Sequence, residues 1–339
     1  MKPDIRERMV RPLGSGAQSR DLSWLRLLAV TAVWLLATQY LGRYAVYLMP
    51  AAVARQMTLQ TYLMLMQVVT TAIGVGIAAA LLRDPLVQLG VGRPAARQLA
   101  VVLAATPIVF VVASYIAIGA AFQTLIDELA RGGAEVSRQN AGEFGRALRQ
   151  EPALLTILWG AVFAPVAEEL LFRGAFWSLV TNLTQRLIRP IGRPRDSLAA
   201  FVDDGLVTRT GRALRSWLCT GGGATLLSAA LFGWMHADMK GGVGIVRVVS
   251  TTCLGLACGT ARHVTGTVAT AMLLHFTFNA LSIGQTRRWW LVGGMGNYYG
   301  VSKLLLLVAA GCALGLGVSW IVGRARKGPK QTQAAQADR

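Results

Sequence analysis

The stretch Ala167 to Gly174, AEELLFRG, places two adjacent acids, Glu168 and Glu169, and one base, Arg173, inside a run from Leu154 to Leu183 that carries no other charge. A run of that length can cross a bilayer, which needs about 20 apolar residues. An ionisable side chain at bilayer depth costs at least ~2.5 kcal/mol on insertion scales, so three within a few positions require compensation from the fold. On a helix, Glu169 and Arg173 lie one turn apart and can pair. Glu168 points about 100° away from Glu169. One acid thus has a local partner, and the other is free to face something else.

Composition agrees with a membrane setting. Of 339 residues, 54% are hydrophobic and 15% charged, and the mean hydropathy is +0.48; these values describe a polytopic membrane protein. The net charge of +18 comes from basic residues in the gaps between apolar runs, without interleaved aromatics. That pattern argues against nucleic acid and for anionic lipid at basic loops. Cys219, Cys253, Cys258 and Cys312 form no CxxC pair and read as small buried hydrophobes. Ala52-Val53-Ala54 resembles a signal cleavage site, but the spanning length of the preceding segment argues against cleavage.

The fold class expected is all-α: a polytopic transmembrane helix bundle of about eight spans with both termini cytoplasmic. A basic tail, 1–23, precedes a first span at about 24–49, ended by Pro50. The second and third run over about 59–82 and 99–126. The polar stretch 127–151 could hold an amphipathic interfacial helix. The fourth, about 152–183, contains the acids, and Pro165 predicts a kink or a fresh start just before them. A long arginine-rich connection, 184–220, leads to spans at about 224–237, 243–261, 265–283 and 303–322, then a basic tail, 324–339. As domains, these are the two tails, an N-terminal helical part over 24–151, a core over 152–283, and a last loop and span over 284–323. With the N-terminus inside, interior segments hold most of the lysines and arginines, including seven arginines over 184–220, as the positive-inside rule requires.

Three histidines are present. His263 lies in a short loop, where headgroup contact or solvation suits it. His236 and His275 lie in apolar segments, and Asn279 shares a helix face with His275 one turn on. Polar groups there turn inward, because lipid cannot satisfy them. At ~1.5 Å per residue, His236 is about 18 Å and His275 about 15 Å from the starts of their spans, and Glu168 is near the middle of its own, so the three can meet in one plane. A carboxylate can act as general base on water. Histidine can orient that water, donate a proton or ligate a metal, and a carboxamide can donate to an oxyanion. This is a hydrolase inventory suited to an amide bond. No serine nucleophile arrangement and no HExxH helix is present.

With those residues in place, the chain resembles the CAAX-protease and bacteriocin-processing family of intramembrane proteases, also called the Abi family. Its motifs EExxxR, FxxxH and HxxxN read here as Glu168-Glu169-Leu-Leu-Phe-Arg173, Phe232-Gly-Trp-Met-His236 and His275-Phe-Thr-Phe-Asn279. The three are complete, in order and on separate apolar segments, over about 152–283. The resemblance implies an intramembrane endopeptidase with catalytic residues Glu168, His236, His275 and Asn279 and supporting residues Glu169 and Arg173. Glu168 would activate water with the help of His236, and His275 and Asn279 would stabilise the oxyanion. It implies no certain cofactor, with a divalent metal ion possible, and a membrane-associated protein or peptide as substrate. The long 184–220 connection, with Asp203-Asp204, departs from the family's compact pattern.

Two other classes compete. A non-catalytic scaffold or immunity-type protein would keep the motif for structure, with Glu169–Arg173 a structural ion pair and Asn279 a helix cross-link. A transporter would use the charged residues as a proton relay, but no internal repeat supports one. Arg247 reads as a snorkelling or structurally paired residue. Trp24, Trp289 and Trp290 read as interface anchors. The alanine-, arginine- and leucine-rich composition points to a multi-pass protein of a bacterial inner membrane.

Overall fold

A computed structural model describes residues 23–41, 57–130, 149–188, 221–289 and parts of 42–56 and 306–317. The described residues are helical, with no strand among them. Helix α1 spans Ser23–Leu36 and continues as a π-helical turn, Ala37–Leu41. Then come α2, Leu59–Leu81, the short α3, Pro85–Gln88, and α4, Ala96–Ala130. Helix α5 covers 153–188 as one uninterrupted helical run, followed by α6, Gly223–Met235, α7, Gly241–Thr265, and α8, Val268–Thr286. Expectations on the tails, on the proposed interfacial helix over 131–148, and on Cys219, Trp290 and Asp203-Asp204 fall outside the described residues.

Among the described residues, five helices are long and apolar enough to cross a membrane: 23–41, 60–81, 96–130, 153–187 and 241–265. Helix α6 is apolar but shorter; at 13 residues it is ~20 Å long, against a hydrocarbon core of ~30 Å. The third span is longer than expected, since α4 starts at Ala96 and runs to Ala130 with Pro107 inside it.

The helices alternate between two ends of one bundle. At the first, Val268 N donates to Gly90 O at 2.9 Å, Thr267 Oγ1 to Gly92 O at 2.8 Å and Ser178 Oγ to Gln88 O at 2.6 Å. We call this the Gly90 end. At the opposite, Met239 end, Gly242 N donates to Glu128 Oε1 at 2.8 Å and Arg287 Nη1 to Glu151 O at 3.0 Å. The tight turn from α7 to α8 depends on Gly266, whose φ of 75° suits a residue without a Cβ, and whose N–H caps Arg262 O at 2.9 Å.

The core runs through the bundle, from Leu27, Val30 and Trp34 on α1 and Ala78 on α2 to residues of α4, α5, α6, α7 and α8. Phe172 stacks edge-on against Phe232 with ring centres 5.1 Å apart, and Phe110 does the same against Phe278 at 5.1 Å. Leu171, Leu254, Cys258 and Ala271 fill the space between them.

Pro165 does not break α5. Instead α5 alternates between α and π geometry: Ala153–Ile157 is α, Leu158–Phe163 π, Ala164–Glu169 α, Leu170–Phe176 π and Trp177–Ile188 α. In the first π turn, Ala164 N bonds Trp159 O, five residues back. In the same register Pro165 would bond Gly160 O, but proline has no N–H. Gly160 O is therefore left for another donor.

Candidate active site

That donor is Asn279, whose Nδ2 reaches Gly160 O at 2.7 Å from α8. The bond clips α8 onto α5 eight residues before Glu168. One turn back on α8, His275 is almost fully buried and is held by both glutamates. Its Nδ1 donates to Glu169 Oε1 at 2.8 Å, and its Nε2 lies 3.7 Å from Glu168 Oε2. With Nδ1 committed to a carboxylate acceptor, a proton sits on Nδ1, and Nε2 is turned to the second carboxylate, Glu168.

The two glutamates differ as their positions on α5 require. Glu169 is fully buried, and its Oε1 also receives Arg173 Nη1 at 3.0 Å. Arg173, equally buried, donates through Nη2 to Gly255 O at 2.9 Å and lies over the Phe232 ring at 4.7 Å. Glycine at 255 permits this, since a Cβ there would stand 3.0 Å from Arg173 Nη2 and 2.9 Å from Ala229 Cα. Glu168 has a side chain 25% exposed and lines a cavity of about 690 Å³. The pairing of Glu169 with Arg173 and the separate outlook of Glu168, both expected from helix geometry, are what the structure has.

His236 follows the last residue of α6 and contacts the same cavity. Its Nδ1 donates to Phe232 O at 2.7 Å, which leaves Nε2 as the free ring nitrogen. Phe232, fully buried, packs against both histidines, with ring centres 4.5 Å from His236 and 5.6 Å from His275. The phenylalanine of FxxxH is thus the spacer that sets the two imidazoles relative to each other. Asn279 lines the cavity as well. All seven motif residues therefore meet: Glu168, Phe232, His236, His275 and Asn279 on the cavity, and Glu169 and Arg173 behind it.

Other lining residues were not singled out from the sequence. Gln67 reaches the cavity from α2 and Trp159 from α5; Gln67 Oε1 and Trp159 Nε1 are buried, with no hydrogen-bond partner found among the described residues. A lone glutamine in an apolar span was the available signal for the first. Arg247, expected to pair structurally, does so with Asp238 at 3.0 Å, while also bordering the cavity.

Residues Glu169, Cys258 and His275 each offer a ligand atom within 4.8 Å of the others, so this buried trio could hold a metal ion. The donor set fits a divalent ion in type, and Glu169 Oε2 is a buried oxygen with no partner found among the described residues. Arg173 already places a positive charge on the same carboxylate. Of the three, only His275 lines the cavity. An ion held by the trio would sit behind the imidazole and act on its position and charge. Cys258, read from the sequence as a small buried hydrophobe, is buried and free, and it also belongs to this donor set.

Residues 150–281 match a family model described as type II CAAX prenyl endopeptidase Rce1-like. That is the resemblance carried by the three motifs, over nearly the same residues. The Rce1-like family implies CAAX-type endopeptidase activity within the membrane. No curated protein and no solved structure matches the chain. The Rce1-like segment holds every motif residue and all of α5 to α8 but the last turns of α8, while α1, α2 and α4 lie outside it and pack around it.

Proposed function

We propose that the protein is an intramembrane endopeptidase that hydrolyses a peptide bond of a membrane-associated protein or peptide by glutamate-activated water. One observation carries the reading: a single buried imidazole is held between two carboxylates, one neutralised by Arg173 and hidden, the other open to a cavity among apolar helices. A structural ion pair alone would not need the second, partly exposed acid, whose exposure inside a bilayer is costly.

In this reading a water in the cavity contacts Glu168 and gives it a proton. The water oxygen adds to the carbonyl carbon of the scissile bond, and the carbonyl electrons move onto oxygen. His275, fixed by Glu169 through Nδ1–H, acts here in its doubly protonated form, so that Nε2–H on the Glu168 side donates to the developing negative charge. Asn279 has a second amide hydrogen beyond the one used on Gly160, and offers it to the oxyanion. On collapse the C–N bond breaks, and the amine leaves with the proton that Glu168 took up. His236 Nε2 assists that transfer. A metal ion, if bound at the trio, would supply positive charge next to His275. The membrane is that of a bacterial cell, with anionic lipid at the basic loops.

The test compares peptide termini across the membrane and secreted proteins of cells carrying wild type or Glu168→Gln at matched abundance. General-base loss is expected to lower turnover by about 10²- to 10⁴-fold, with thermal unfolding in detergent unchanged. Termini unique to the wild type name the substrate. Identical termini in both would return the protein to the scaffold reading.

A further inference from the structure

The cavity reaches only one end of the bundle. Beyond the motif residues, its lining includes Arg149, Met239, Arg247, Gln285, Thr286 and Arg288, and these lie at or toward the Met239 end. Nothing that lines it comes from residues 82–97, 174–188 or 258–270 at the other end. There the space behind His275 is filled. Glu169 and Arg173 are fully buried, and Arg262, also buried, donates through Nε to Arg173 O and through Nη1 to Gly266 O, with its guanidinium 4.9 Å over the Trp177 ring. The short α6 explains the asymmetry. It ends at Met235, and His236 and Met239 wall the cavity where a full-length helix would continue.

The two ends also differ in charge. Segments that meet the Gly90 end (1–22, 82–97, 184–220 and 262–267) carry 16 lysines and arginines, and those that meet the Met239 end (42–58, 127–151, 236–241 and 286–289) carry 9. The largest block, seven arginines, lies in 184–220. The positive-inside rule assigns the richer end to the cytoplasm.

We propose that the Met239 end faces away from the cytoplasm and that substrate reaches Glu168 from that side. The substrate class is then an exported or membrane-anchored polypeptide whose scissile bond is presented from the non-cytoplasmic half of the bilayer, and not a lipid-modified protein of the cytosol. This rests on the proteolytic reading for its substrate, but its topology can be tested without proteolysis.

Single cysteines are introduced as Gln285→Cys at the cavity mouth and Asp84→Cys at the Gly90 end, with the unsubstituted chain as blank. Intact cells are treated with a membrane-impermeant maleimide, and denatured protein sets full reactivity. The expected result is at least tenfold more labelling at position 285 than at 84, with the preference reversed in inverted vesicles. A ratio near one or below one in intact cells overturns the proposal. Lys240→Cys against Arg83→Cys repeats the comparison with one cation removed from each end, should either first variant misfold. In a second arm, cleavage of the substrate found by terminus mapping is followed after labelling. Modification at 285 is expected to lower it at least tenfold and modification at 84 to leave it unchanged; full modification at 285 with unchanged cleavage overturns the access route. Unchanged termini with Glu168→Gln would instead overturn the proteolytic reading, whatever the labelling shows.

Discussion

At the residue scale the site is a problem in holding charge out of water. Glu169 accepts from both Arg173 and His275 on one oxygen, and Arg173 spreads its own charge onto Gly255 O and the Phe232 face. Removing one member of a buried pair leaves the other uncompensated, at ~3–5 kcal/mol. Arg173→Ala is therefore expected to lower stability by about that amount and to reduce abundance in membranes, as read by thermal unfolding in detergent and by immunoblot. Glu168→Gln has the opposite signature, with turnover lost and stability kept, because its side chain is partly exposed and its contact with His275, at 3.7 Å, is longer than the 2.8 Å contact that Glu169 makes. In the proposed mechanism Arg173 builds the site and Glu168 works in it, and a measurement of both quantities on both variants tests that division.

At the element scale α5 is the unusual part. Its two π turns bracket the acids, and such turns recur at functional sites in helices. The first has an identifiable use. Because Pro165 cannot donate, Gly160 O remains available to Asn279. Pro165→Ala would restore an N–H that competes for that carbonyl. The expected outcome is lower turnover with thermal stability unchanged or raised, the gain coming from an interior proline removed. A fall in both together would show that the proline serves the fold alone. The acids, the histidines and Asn279 were legible in the sequence because polar groups in apolar spans stand out and their spacing maps to helix faces. Pro165 was legible as an irregularity, but its consequence was not. A missing N–H shows in the sequence, whereas the carbonyl it frees and the donor that takes it depend on packing between helices 119 residues apart. Gly255 was hidden for a like reason, since a glycine in a span does not tell which guanidinium it admits. Nor did Cys258 show its donor role, because its neighbours in the trio come from two other helices.

At the scale of the whole molecule, orientation rests on a difference of 16 to 9 cations between the two ends. Replacing the seven arginines of 184–220 by glutamine would make the ends equal. Mixed insertion is the expected result, seen as labelling of an end-specific cysteine from both faces of the membrane. Retention of a single orientation would mean that the order of helix insertion, and not charge, fixes it. The alternation of helix ends was already legible from span lengths and loops, within a few residues. The fifth span was legible as a short one, at about 224–237 against the observed Gly223–Met235; what the sequence did not display is that its early end is what makes room for the site.

That room has a thermodynamic side. A cavity of about 690 Å³ has room for many water molecules, since one needs only ~10–15 Å³ of such space. A peptide segment that fills it returns much of that water to bulk and removes apolar walls such as Leu254, Phe278 and Ile283 from contact with it. Calorimetric titration of Glu168→Gln with an uncleaved substrate peptide should therefore give a negative heat-capacity change of binding. In the proposed reaction, the solvent consumed one molecule at a time is also the ligand that the substrate must first displace.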